Sequence, residues 1–163
     1  MYLKNLDKSD SLWRKFQIDL YQHGILKSEV SDYFLEFANF AIMSGIKLKV
    51  VSMRSEILRK VALQWLALNF PPNFFDSINF SSNITDKIKK INEFKPIMHI
   101  DDLEKILINP QLNDDIIRFL YVNSPTTIKR QERYFVGDFL TAKRLLEEKP
   151  ELFHKSEAKI VSQ

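Results

Sequence analysis

The sequence predicts an α/β protein: a three-layer α/β/α sandwich around a mostly parallel sheet of four or five strands. Three observations carry the expectation. Short apolar runs recur at Ile46–Met53, Asp76–Phe80, Ile97–Asp101 and Ile116–Val122, each bounded by turn residues. Stretches with helical apolar spacing separate them. Strands alternating with helices at this rhythm join most simply as parallel neighbours through helical crossovers.

Taken in order, Met1–Leu6 reads as a short strand or a ragged start. Asp10 or Ser11 caps a helix carrying Leu12, Trp13, Phe16, Leu20 and Tyr21, with Gly24 as its terminator. Ser28 caps a second helix, with Val30, Phe34, Phe37, Ala38 and Ala41 on one side and Gly45 at its end. The strand Ile46–Met53 begins alternating and ends in the pair Val50-Val51, which suggests an exposed start and a buried finish. Ile57, Leu58, Val61, Ala62, Trp65 and Leu66 then form the clearest core-facing stripe in the chain, closed by Pro71-Pro72.

After the Asp76–Phe80 strand, Asn83 or Thr85 caps a helix running to about Phe94. Pro96 introduces Ile97-Met98-His99-Ile100-Asp101-Asp102, an apolar run ending in two carboxylates, and a short helix covers Leu103–Ile108. Ile116–Val122 is another buried strand, Thr126–Tyr134 a polar, basic loop, and Asp138 caps a last helix through about Glu148. Residues 1–150 are expected to form one domain, with the helical pair 10–44 placed as a small cover, and 151–163 a loosely ordered tail.

Composition sets limits on chemistry. The chain has 163 residues, enough for a sizeable core, with 45% hydrophobic and 28% charged residues. Three glycines leave no room for a G-x-G-x-x-G or Walker-type phosphate loop. The absence of cysteine excludes disulfides, thiolate nucleophiles and Cys-ligated metals, and fits a reducing compartment. With no membrane-length apolar run and no signal-peptide core at the N-terminus, a cytoplasmic location is the default expectation. A net charge of +3 is too mild to argue for nucleic acid by itself, and the basic residues are spread out with only small clusters at Lys87–Lys90 and Lys129–Arg133, so nucleic acid is not the expected partner.

The chemistry-bearing residues fall at strand ends. Ser52 closes one strand, with Arg54 two positions on; Lys87 lies near a helix start; Asp101-Asp102 close another strand. A hydroxyl, an ammonium and paired carboxylates suit a phosphoryl site, the first two holding phosphate oxygens and the acids a magnesium ion. Each has an ordinary reading beside it. Ser52 is equally a strand-end turn residue. Lys87 sits in a polar run that resembles a solvated helix face. Asp101 or Asp102 serves equally as a helix cap. His99 reads as a hydrogen-bonded core histidine, and the phenylalanines as core.

From about Phe34 to Val122 this order resembles the core of the haloacid dehalogenase superfamily, Rossmannoid phosphohydrolases. Ser52 matches the family's strand-end hydroxyl, Lys87 its lysine (Lys89 or Lys90 being alternatives), and Asp101-Asp102 its acidic strand end. The resemblance implies phosphoryl chemistry supported by magnesium. The chain departs from the pattern in its first motif, because no Asp-x-Asp precedes Ser52. The nearest imitation, Leu3-Lys4-Asn5-Leu6-Asp7, puts Asn5 at the nucleophile's position and Asp7 at the acid/base position. An amide is a very poor nucleophile toward phosphorus. The expectation is therefore a catalytically impaired relative that binds a phosphorylated small molecule or a protein partner. The alternative is a magnesium-dependent phosphohydrolase with an altered first motif.

Overall fold

The structure, a computed structural model, describes residues 11–54, 56–123 and 129–149. It is mixed α/β. The chain divides into two compact units: residues up to Val30 with Arg54–Phe74, and Ser31–Met53 with Phe75 onward. Among the described residues no helix is long and apolar enough to cross a membrane.

The first unit is a helical pair. α1 (Ser11–Lys27) packs along α3 (Glu56–Asn69). Gly24 does not end α1 as expected; the helix runs through it to Lys27. Glycine inside a helix costs only about 1 kcal/mol relative to alanine, which tertiary packing overrides. Ser28 lies beyond the helix, its hydroxyl bonding the Ile25 carbonyl at 2.7 Å. Its own carbonyl accepts from Trp65 Nε1 at 2.7 Å, so the indole N–H of a half-buried tryptophan is satisfied. Trp65 meets Phe70 edge-on, and Phe70 in turn packs on Phe74.

The second unit holds the strands. α2 (Asp32–Met43) is capped at Ser31, not Ser28. It ends where Gly45 takes φ +75°. Ile46 N donates to Ala41 O and Gly45 N to Ile42 O, the paired bonds of a Schellman stop. β1 (Lys49–Ser52) follows, exposed at its start as expected, but half-buried and not buried after it. It pairs in parallel with β2 (Ser77–Phe80), in a register that sets Ser52 opposite Phe80.

α4 (Ile84–Phe94) leads from β2 to β3 (Met98–Asp101). Asn83 caps α4 through the Asp86 amide, and Asp86 Oδ2 returns to the Ser82 amide. This reciprocal pair satisfies two amide donors at the helix start. α5 (Glu104–Leu107) leads to β4 (Ile117–Tyr121). The expected basic loop after β4 instead contains β5 (Lys129–Arg130), antiparallel to β6 (Phe135–Gly137). β6 also runs parallel to β4, and α6 (Phe139–Glu147) closes the described chain from its Asp138 cap. A strand of three residues is too short to show alternation, so Phe135–Gly137 carried no readable period.

The strands do not join in one sheet among the described residues. They form a two-stranded sheet, β1-β2, and a four-stranded one, β3-β4-β6-β5. Two apolar clusters organise them. Phe37, Phe119, Ala142, Leu145 and Leu146 form one, against which Leu48, Met98, Ile100, Ile117 and Phe135 pack. Ile88, Ile91, Ile106, Leu112 and Ile116 form the other, with Val51, Met53 and Ile84 against it. Side chains alternate across a strand. Met98 and Ile100 therefore take the first cluster, and His99 and Asp101 point to the opposite face.

Candidate functional site

Lys87 occupies the fourth position of α4. Helical spacing puts it at the edge of the arc of Ile84, Ile88 and Ile91, the helix's apolar side. Its stem is accordingly buried, 7% exposed. The ammonium needs a partner there, because a lone buried charge is strongly disfavoured. Asp101, 6% exposed at the carboxyl end of β3, supplies it: Nζ lies 2.5 Å from Oδ2. The neighbouring lysines do something else. Lys90 pairs with Asp86 at 2.6 Å on the helix's own surface, and exposed Lys89 faces Glu93 at 3.9 Å. Of the three lysines, Lys87 is therefore the one joined to the acidic strand end.

Asp101 is held from three sides. His99 Nε2 stands 3.1 Å from the same Oδ2, and the Leu103 amide donates to Oδ1 at 3.0 Å. Burial pushes the carboxyl's pKa up. The hydrogen bonds from His99 and Lys87, with the lysine's charge, outweigh it and bring the value down from 3.8 to about 2. His99 is thus the hydrogen-bonded core histidine its position in the strand suggested. The capping reading of the acidic pair is not met: the N-cap position of α5 is Leu103, without a side-chain cap, and Asp101 takes the Leu103 amide in a turn just before it.

One residue on this face was not foreseen. Arg118 of β4 stands opposite His99 in the register and is 5% exposed. Its guanidinium donates to the carbonyls of Leu107 and Leu112 at 3.0 and 2.7 Å and to Asp114 Oδ1 at 2.7 Å. A buried arginine so fully bonded ties down the α5–β4 connection. The only sequence signal for it is a charge interrupting the apolar run Ile116–Val122.

Ser52 ends β1, half-buried, with its carbonyl engaged. The Ser81 amide donates to Ser52 O at 3.0 Å, and Ser81 Oγ lies 3.4 Å from the same oxygen. Ser81 is 2% exposed, a second strand-end hydroxyl where the sequence suggested only loop. No hydrogen bond joins Ser52 to Lys87 or Asp101. Their neighbours do share a cluster: Val51 and Met53, on either side of Ser52, pack with Ile84 and Ile88, on either side of Lys87.

Asp102 is exposed beside Asp101. Arg54 belongs to the other unit, its carbonyl accepting from Arg59 Nε at 3.0 Å. Asn5 and Asp7 lie outside the described residues. For magnesium the donor set is incomplete among the described residues. Both Asp101 oxygens are committed to protein donors, which leaves Asp102 as the open carboxylate, and no group of three or more candidate ligands is found. A magnesium ion wants near-octahedral oxygen ligation.

No family model matches the chain, and neither the curated proteins nor the solved structures contain a match to it.

Proposed function

We propose that this chain is a haloacid dehalogenase-like module that binds a phosphate-bearing ligand at the carboxyl ends of β1, β2 and β3, and that it is catalytically impaired. The observation that carries the reading is the Lys87–Asp101 pair, in which a helix-start lysine reaches a strand-end carboxylate across two elements. An ammonium has three N–H donors, and one is spent on Asp101. The others, with the Ser52 hydroxyl, are the donors an anion would use. In this reading the two sheets are halves of one layer, flanked by α2 and α6 on one side and α4 and α5 on the other. The shared clusters support that arrangement. The Asp101 carboxylate acts as a fixed counter-charge that keeps Lys87 in place. Ligands in α/β proteins favour this end of the strands.

The proposed impairment rests on the first motif, where Asn5 stands at the nucleophile's position. A phosphohydrolase would need an anionic group there.

The test is a backbone-amide NMR titration of the full chain with inorganic phosphate, repeated with magnesium. Saturable shifts at Ser52, Lys87 and Leu103, weakened in S52A, are expected. No saturable shift at those amides, with or without the metal, overturns the reading. An assay with an aromatic phosphomonoester and magnesium tests the impairment. Turnover that disappears in D102N would favour the hydrolase instead.

A further inference from the structure

We infer that Ser81 is the positioning residue of this anion site, fixing the strand end from which Ser52 presents its hydroxyl. The inference rests on the proposed phosphate reading and adds a residue to it. Ser81 directs two donors to one acceptor: its amide N lies 3.0 Å and its Oγ 3.4 Å from the Ser52 carbonyl oxygen. The amide bond continues the β1-β2 ladder one step past the last paired residues, Ser52 and Phe80. The hydroxyl contact is additional, and any residue could supply the amide without it.

A serine hydroxyl that is 2% exposed would ordinarily take a short, well-formed hydrogen bond. Here its contact is longer than the usual O–H···O range. A side chain chosen only for stability would do as well as alanine, which removes a polar atom from a buried place. The geometry gives the hydroxyl a different task. It sits on the carbonyl of Ser52, whose hydroxyl the proposed site would use, and adds a second contact to the peptide that the Ser81 amide already holds. A held peptide keeps the Ser52 hydroxyl in one orientation, and pre-organised donors bind more tightly than mobile ones.

The position also links the two halves of the site. Ser81 is followed by Ser82 and Asn83, whose capping bonds with Asp86 start α4, and Lys87 follows Asn83 by four residues, its amide bonding the Asn83 carbonyl. The hydroxyl end of the site and the ammonium end are therefore tied to one short segment, Ser81–Asn83.

The experiment is a double-mutant cycle on phosphate affinity, measured by the same amide titration in wild type, S81A, S52A and S81A/S52A, with S81T as the conservative variant. Expected is about a twofold loss of affinity in S81A, the low end for one hydrogen bond. S81T, which keeps a hydroxyl, recovers most of that loss. In the S52A background, the S81A change has no further effect. Unchanged affinity in S81A overturns the inference and leaves the anion site standing. Equal losses from S81A in both backgrounds show a general structural role and overturn it too. No phosphate binding by wild type overturns both the site and this inference, so the two failures are distinguishable.

Discussion

Lys87 Nζ and His99 Nε2 converge on a single oxygen, Asp101 Oδ2, at 2.5 and 3.1 Å. One carboxylate oxygen thus holds a side chain from α4 and one from β3 itself, while the other oxygen holds the Leu103 amide. Lys87 and Asp101 are buried, and His99 is half-buried. Removing the central charge exposes what it does: Asp101→Asn leaves the Lys87 ammonium in an apolar setting without a counter-charge. Breaking a buried pair on one side costs about 3–5 kcal/mol. Chemical denaturation of D101N should show a loss of that order. The double variant K87M/D101L should recover most of it, because a buried ion pair replaced by apolar groups of similar volume is often neutral.

The same carboxylate sets a pH dependence. Its folded pKa, about 2, lies below the ordinary 3.8. A lowered carboxylate pKa means the unfolded chain binds the proton more readily. The stabilisation is therefore fully present above about pH 4 and is lost as pH falls through the folded value near 2. Wild type should lose stability progressively over that acidic window. D101N should show a shallower slope there, and both should be flat with respect to this group at neutral pH. Urea midpoints measured from pH 2 to 6 check it.

Long, strongly periodic elements were legible from residues alone. The helix expected around Val61–Leu66, the Asn83 cap and the Asp138 cap all reappear in the structure, because each is a local signal with a local cause. Two kinds of feature were not. Gly24 and Ser28 look like stop and start signals, yet packing within the α1–α3 pair carries α1 past Gly24 to Lys27, and α2 starts from Ser31. Asp101 and Lys87 were visible as candidates, but nothing in the run Asp86–Lys90 marks Lys87 as the inward lysine except its place between Ile84 and Ile91. Ser81 and Arg118 were missed for a further reason. Their roles depend on the carbonyls they face, and those partners come from other segments.

Asp138 illustrates a cap whose sequence reading and geometry agree. Its Oδ1 accepts from the Thr141 amide at 2.8 Å and from Thr141 Oγ1 at 2.7 Å, with the carboxylate 5% exposed. It starts α6, whose Ala142, Leu145 and Leu146 belong to the same cluster as Phe119. Asp138→Ala removes the acceptor from two donors at once. The expected cost is about 2 kcal/mol, the upper end for an N-cap. Asp138→Asn, which keeps an acceptor oxygen, should lose much less. Thermal unfolding of the two variants side by side tests the difference.

Phe119 is fully buried on β4, between Phe37 of α2 and the α6 residues Ala142, Leu145 and Leu146. A phenylalanine truncated in such a position leaves a cavity that its neighbours fill only in part. Phe119→Ala should lose about 3–5 kcal/mol. Phe119→Leu, which restores most of the volume, should lose less than half as much. Urea midpoints at neutral pH read both.

Gly137, at the end of β6, is fixed by a close approach and not by backbone freedom. A Cβ placed there would stand 2.5 Å from Thr141 Cγ2 and 2.6 Å from Thr141 Cβ. Thr141 cannot move aside cheaply, since its amide and hydroxyl both hold Asp138. Meanwhile Gly137 itself pairs with Tyr121, and its carbonyl accepts from Val122 N at 2.9 Å, so the strand end is held as well. Gly137→Ala therefore forces two anchored segments apart, and overpacking of this kind costs about 1–3 kcal/mol. The distinguishing measurement is the combined variant G137A/T141S. It deletes the obstructing methyl, keeps the capping hydroxyl, and should be more stable than G137A alone. Were G137A as stable as wild type, the close approach would not be what fixes glycine at this position.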